Sequence, residues 1–419
     1  MAHMIYARTT RKALASSLLA LALVIAGCAE PDPGPSAAVV SEIQLPADYS
    51  ATGPGALVSA TRLPTIDRRL LRVTSVAAHI TYNSTSGVDG SSQVVSGSVF
   101  APSGTPPEGG WPVIVFGHGT TGVLSECAPS LSPTLLGAAG AVRALVTLGY
   151  MMVVPDYQGL GTIDSYHPYL DATTAGYNMI DAASAARKLV PDSSDRWVAF
   201  GVSQGGQASW AANELIAGYG AQDTRLIGSV SVSPAADITG MADMAAEGIL
   251  SPQQRIAMVL ILSSLQNAHP GFDLDDYRRG LVEEKWDLLA GCSTVATEDR
   301  LAVAEQIPPE DLRPSTPAAL DALRGYLNQM SGLPRAPASA PMFVVHGDAD
   351  DVVPVVWTTE AVRRACDMGD TVASFIAGGR GHGDFDPIVS LDWIMKRFDD
   401  APADSTCAVE GGPSILKTT

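Results

Sequence analysis

The chain has 419 residues, 46% of them hydrophobic and 17% charged, with 26 Lys and Arg against 44 Asp and Glu. That is enough apolar sequence to bury a large core, which excludes a disordered or fibrous chain. The acidic balance argues against nucleic acid and anionic lipid surfaces as partners, and for solubility.

In chain order, Arg8, Arg11 and Lys12 form a basic start, and Ala13 to Ala26 an apolar stretch closed by Ile25-Ala26-Gly27-Cys28. This resembles a bacterial lipoprotein signal over residues 1–27, with cleavage leaving Cys28 to carry lipid. The stretch is short for a membrane span, so a processed signal is the better account. An ordinary secretory signal cut nearby, with Cys28 incidental, is the alternative. Residues 1–27 hold three positive charges and no negative ones, so the remainder carries 23 Lys and Arg against 44 Asp and Glu. Residues 29–37, rich in Pro and Gly, read as an extended tether, and residues 28–69 as tether plus N-terminal extension. The location expected is extracytoplasmic: anchored at the cell envelope, or otherwise secreted. Apart from Cys28, the cysteines are Cys127, Cys292, Cys366 and Cys407. An even number in an exported chain predicts two disulfides, with three pairings open. None is spaced as a zinc site, and neither metal nor organic cofactor is expected.

Val73 to Tyr82 and Val94 to Phe100 alternate as antiparallel strands. Val113 to Phe116 is a buried strand, Ala138 to Leu148 a helix, Met151 to Val154 a strand and Ala172 to Val190 a helix. Trp197 to Phe200 is the next strand, followed by an Ala-rich helix over Gln207 to Ile216 and a strand over Leu226 to Val232. The alternation resumes with a strand at Met342 to Val345, a helix near Val355 to Cys366, a strand at Thr371 to Ile376 and a helix at Pro387 to Phe398. Short apolar strands alternating with helices predict a mostly parallel sheet covered on both faces, in the layout of an α/β hydrolase. Residues 235–337 interrupt it and read as an inserted helical cap. Ile256 to Leu265 within the cap is strongly apolar but too short to span a bilayer. The expected organisation is therefore hydrolase core over 70–234, cap over 235–337, and core plus C-terminal tail over 338–419.

Gly201-Val202-Ser203-Gln204-Gly205 joins a strand to a helix, the setting in which a serine sits on a strained turn with its hydroxyl exposed. Glycines at 201 and 205 allow the two backbones to approach closely. A serine hydroxyl needs a histidine to take its proton, and the histidine needs a carboxylate to fix its tautomer. In this layout the order is serine, acid, histidine. Downstream lie His269, His346 and His382. His382, in a glycine-rich loop after the last strand, is the expected base. His346 ends a strand and reads as structural, and His269 lies in the cap. The acid is expected from the loop 346–354, where His-Gly-x-x-Asp-x-x-Val-Pro selects Asp350, with Asp348 as runner-up. The oxyanion hole takes the N–H of Gln204 and a second donor from Gly117-His118-Gly119-Thr120-Thr121-Gly122, where Thr120 and Thr121 both remain candidates. His118 is expected to hold this loop. Gly119, which lets the backbone approach substrate, and Tyr157 are the expected substrate-binding residues.

The chain resembles the secretory lipase family of the yeast lipase A type over about residues 70–400. The resemblance rests on Gly117 to Gly122, Cys127-Ala128-Pro129-Ser130, Pro155-Asp156-Tyr157-Gln158-Gly159-Leu160-Gly161 and Gly201 to Gly206. It implies an inserted helical cap, hydrolysis of acylglycerols or simpler carboxylic esters, and disulfides Cys127–Cys292 and Cys366–Cys407. The yeast type has an aspartate in the oxyanion loop where this chain has threonine. The function expected is an exported serine ester hydrolase acting on a small-molecule or lipid ester, touching the membrane only through the anchor. A serine peptidase would share the triad but would need a site for a peptide amine or carboxylate. A non-catalytic surface lipoprotein would be expected to break the triad.

Overall fold

The computed structural model describes residues 43–219, 223–384 and 386–407. The expected signal, Cys28 and the tether over 29–37 lie outside them. Nine strands form one sheet: β1 (Leu57–Arg62), β2 (Thr74–Thr85), β3 (Ser92–Pro102), β4 (Trp111–Gly117), β5 (Met151–Pro155), β6 (Ser193–Val202), β7 (Arg225–Val232), β8 (Met342–Gly347) and β9 (Val372–Ala377). Their order is β1-β2-β3-β5-β4-β6-β7-β8-β9. The pairings β1·β2, β2·β3 and β3·β5 are antiparallel, and all those from β5 to β9 are parallel. The parallel strands need crossover helices, which cover both faces and leave β4, β5 and β8 almost wholly buried. This is the α/β-hydrolase arrangement.

Four helices precede the cap region: α1 (Arg68–Leu71), α2 (Ala139–Thr147), α3 (Ala172–Leu189) and α4 (Gln204–Tyr219). Small residues let α3 and α4 lie close to the sheet: Ala175, Ala182, Ala183, Ala186, Ala208 and Ala212 are buried there with Val113, Val115 and Val153. The carboxylate of Asp171 starts α3 by accepting the Thr174 N–H at 2.8 Å.

Between β7 and β8 run α5 (Met241–Glu247), α6 (Pro252–Ala268), α7 (Gly280–Glu284), α8 (Trp286–Ala290), α9 (Thr297–Gln306) and α10 (Pro317–Ser331). The apolar run foreseen around Ile261 is the middle of α6, where Met258 to Leu262 are all buried in the cap's own core. Ser251 and Gln254 close its N-terminus as a reciprocal capping box. No helix among the described residues is long and apolar enough to cross a membrane. The chain ends with α11 (Val355–Asp367), beside α4, and α12 (Pro387–Phe398), which shares the opposite core with α2.

Two differences from the sequence reading have local causes. Residues 57–62, assigned there to the N-terminal extension, form β1, because pairing with β2 satisfies a short strand whose own pattern is weak. Helix α4 begins at Gln204 rather than Gln207. Gly205 and Gly206 read as helix breakers in isolation, yet tertiary packing demands them there. A Cβ on Gly205 would stand 1.9 Å from the Gly117 carbonyl oxygen, and one on Gly201 2.0 Å from the Gly205 oxygen.

Candidate active site

The parallel strands bring their C-terminal ends to one edge, where the loops after β4, β6, β8 and β9 meet. Ser203 follows β6 with φ of +58°, a left-handed conformation that costs a residue with a Cβ of the order of 1–3 kcal/mol. The turn is held on both sides: the Ser203 N–H donates to the Val232 carbonyl at 2.9 Å, and the Ser203 carbonyl accepts from Gln207 N–H at 3.0 Å. That fixes the hydroxyl toward the loop after β9. There His382 Nε2 lies 2.9 Å from Ser203 Oγ, and His382 Nδ1 lies 2.7 Å from Asp350 Oδ2.

Asp350 is anchored more firmly than a surface carboxylate. Its Oδ1 accepts the N–H groups of Val352 and Val353, both at 2.9 Å. Its Oδ2 is shared by His382 and by His346 Nε2 at 3.1 Å. Burial opposes its charge, but the hydrogen bonds from His346 and His382 and the Val353 N–H outweigh that cost and hold the carboxyl well below its ordinary value. It is therefore an anion that accepts from Nδ1–H and leaves Nε2 free to accept a proton from Ser203. Asp348 instead is exposed and accepts the Gly379 N–H, tying the acid loop to the histidine loop. His269 closes α6 and packs on Tyr326, away from this chain of groups.

Of the two oxyanion-loop threonines, Thr120 lines the cavity with Gly119, Ser203 and His382. Thr121 turns inward. Its carbonyl accepts the Ser293 N–H at 2.8 Å, and its hydroxyl is buried. Gln204 is the first residue of α4, so its N–H has no partner within the helix. The Gln204 amide Nε2 donates to His167 Nε2 at 2.9 Å, while His167 Nδ1–H donates to the Gln158 carbonyl at 2.9 Å. Burial lowers His167 to about 3, so it is neutral and this tautomer is fixed. His118 is also buried and lowered; it lies 2.7 Å from the Gly119 carbonyl and 3.2 Å from that of Asp156, and so braces the loop from below.

The cavity above Ser203 has a volume of about 460 Å³ and is walled mainly by apolar side chains, among them Leu170, Ile238, Met241, Ile256, Leu260 and Val353. Most of the far wall comes from α5, α6 and α9. Cys127 and Cys292 form a disulfide that ties the segment after the oxyanion loop to the end of α8, and Cys366 pairs with Cys407.

The family model for secretory lipase matches residues 134–298. The fold is similar to that of Candida antarctica lipase A in its closed state, with a TM-score of 0.67 at 16% identity over 89% of this chain and 88% of that one. It is also similar to a rice cell wall degrading esterase, LipA, from Xanthomonas oryzae, with a TM-score of 0.64 at 22% identity over 83% and 98%. A sequence comparison with curated proteins finds no match. The match over residues 134–298 supports a carboxylic ester hydrolase, and the solved structures share its α/β-hydrolase fold.

One expected residue of the hydrolase is placed elsewhere. Tyr157 is 1% exposed and packs tilted against His118, with its hydroxyl donating to the His118 carbonyl at 3.3 Å. It supports the oxyanion loop and does not line the cavity, because φ of +72° turns its side chain into the core. Tyr169 does line the cavity, and its hydroxyl lies 2.7 Å from the Thr120 hydroxyl. Burial pushes it up to about 12, so it is a neutral donor at physiological pH. The string Tyr166-His167-Pro168-Tyr169 carried this signal: ring hydroxyl and imidazole groups on a loop at the C-terminal edge of the sheet.

Proposed function

We propose that the protein is an exported, lipid-anchored serine hydrolase of acyl esters, working through Ser203, His382 and Asp350. His382 Nε2 takes the proton of Ser203 as Oγ attacks the ester carbonyl carbon. The developing oxyanion is held by the N–H groups of Gln204 and Thr120. Collapse of the tetrahedral species breaks the C–O bond to the alcohol, which leaves with the proton from His382. Water, deprotonated by the same imidazole, then attacks the acyl-enzyme and returns Oγ–H to Ser203. Asp350 keeps Nδ1–H in place and stabilises the imidazolium without itself being protonated. Gly119 permits close approach of the substrate, whose apolar part fills the cavity beneath the cap.

The observation that supports this reading most directly is the unbroken Ser203–His382–Asp350 chain at 2.9 and 2.7 Å opening into an apolar cavity. Export and anchoring rest on the Arg8 to Cys28 segment, and the two disulfides fit an oxidising compartment. The test is hydrolysis of p-nitrophenyl esters from acetate to palmitate by the parent and by Ser203→Ala. A loss of about 10³-fold or more in kcat is expected, with an optimum at short or medium chains that a 460 Å³ cavity can enclose. Undiminished turnover by Ser203→Ala would refute the assignment.

A further inference from the structure

Within that apolar cavity stands one buried cation. Arg300, on α9, lines the cavity and is only 4% exposed. Its guanidinium has five N–H donors and no carboxylate partner among the described residues. One Nη2 hydrogen donates to the Leu289 carbonyl at 2.9 Å, near the C-terminus of α8. Its Nε is buried with no partner. Burial opposes its charge, and the titratable group that acts on it is Tyr169, whose hydroxyl is bonded to Thr120 of the oxyanion loop.

Burying an ion is strongly unfavourable unless hydrogen bonds and an opposite charge offset it. The Leu289 carbonyl and the C-terminal dipole of the five-residue α8 are a small offset. Besides tying α9 to α8, Arg300 is the one Lys or Arg among the described residues that lines the cavity. The other deeply buried arginine, Arg397, also lacks a carboxylate, but its guanidinium lies over the Trp393 ring and donates to the Pro402 carbonyl at 3.1 Å, and it does not line the cavity. A buried, cavity-lining guanidinium with spare N–H donors is suited to pair with a ligand's anion.

We propose that Arg300 is a specificity-determining residue that binds a carboxylate carried by the ester substrate, so that the hydrolase prefers esters whose acyl or alcohol part ends in a carboxylate over neutral esters of the same length. The planar guanidinium suits two parallel N–H···O bonds to a carboxylate. The site described for Ser203 supplies the chemistry, and this inference rests on that reading.

The experiment uses the full chain and its Arg300→Met and Arg300→Lys variants. Acyl-side recognition is read with 4-nitrophenyl hydrogen adipate and hydrogen suberate against 4-nitrophenyl hexanoate and octanoate. Alcohol-side recognition is read with 5-(butanoyloxy)pentanoate against pentyl butanoate in a pH-stat. The result is the ratio of kcat/KM for charged over neutral ester, in which any loss of folded protein cancels. For at least one side the parent ratio should exceed one, and it should fall by about 30-fold or more in Arg300→Met. Arg300→Lys should recover part of the ratio through its retained charge. A parent ratio below one on both sides, or a ratio that Arg300→Met leaves unchanged while both esters slow equally, overturns the inference and leaves Arg300 as support for the cap. If no ester of either kind is turned over, the hydrolase reading itself falls, and the inference falls with it.

Discussion

Replacing Gly205 by alanine places the most severe demand on the geometry that joins the nucleophile to the oxyanion loop. The new Cβ would lie 1.9 Å from the Gly117 oxygen, 2.3 Å from the Gly117 carbonyl carbon and 2.8 Å from the His118 oxygen. All three are backbone atoms, so no side chain can swing away. Ordinary contact begins at 3.4 Å, which requires the start of α4 and the end of β4 to part by about 1.5 Å. That motion carries the Ser203–Gln204 pair away from Gly119 and Thr120. A misplacement of about 1 Å costs of the order of 10²-fold in rate, so kcat should fall by about 10²- to 10³-fold. The overpacking itself should cost about 1–3 kcal/mol of stability. Gly218→Ala is the matched control: it lies on the same helix with open space around its Cβ. It should gain about 0.5–1 kcal/mol from the helix preference of alanine. Ester kinetics and urea unfolding on both variants decide the matter. If Gly205→Ala kept kcat and stability within experimental error of the parent, the close approach of β4 and α4 described above would be wrong.

Asp350→Asn keeps the shape of the acid but removes the anion that fixes the His382 tautomer, so kcat should drop by about 10⁴-fold. Asp348→Asn, which keeps an acceptor for Gly379 N–H, should change kcat by about tenfold or less; equal losses would exchange the two roles. Burial raises Asp181 from 3.8 to about 7, against hydrogen bonds from Ser84 and Tyr219. A raised carboxyl favours the folded state below its unfolded value, and that advantage is lost as pH rises through about 7. Urea midpoints should therefore fall between pH 5 and pH 8, and Asp181→Asn should flatten part of that slope. Glu214, also raised to about 7, would retain the rest. A pH-independent midpoint would show that Asp181 is not held in its neutral form.

The parallel half of the sheet was legible because each of its strands is a short apolar run bounded by turns, and longer runs rich in helix formers alternate with them. The elbow was legible too, since Gly201 and Gly205 flank Ser203 where a Cβ would meet neighbouring backbone. What escaped was decided by contacts distant in sequence. Strand β1 takes its order from β2, and its own six residues carry little alternation. Tyr157 and Tyr169 are both tyrosines on the loop after β5, and only the positive φ at Tyr157 turns one into the core and leaves the other at the cavity. Thr120 and Thr121 differ through a distant contact, the Ser293 N–H from the cap bonding the Thr121 carbonyl, which no local pattern announces. Arg300 gave no signal at all, because its place among charged residues on α9 looks like a solvated helix face until the cap is folded.

Ser203 is proposed as the nucleophile, activated by His382. The most direct measurement is intact-mass and peptide-level mass spectrometry after exposure to a p-nitrophenyl alkylphosphonate, which phosphonylates an activated serine and releases p-nitrophenol. One adduct per chain is expected, located on Ser203, formed with loss of ester hydrolysis and at least about 10²-fold more slowly in His382→Ala, the contribution of a general base. An adduct on another residue, or an unmodified Ser203 in a chain that still hydrolyses esters, would contradict it.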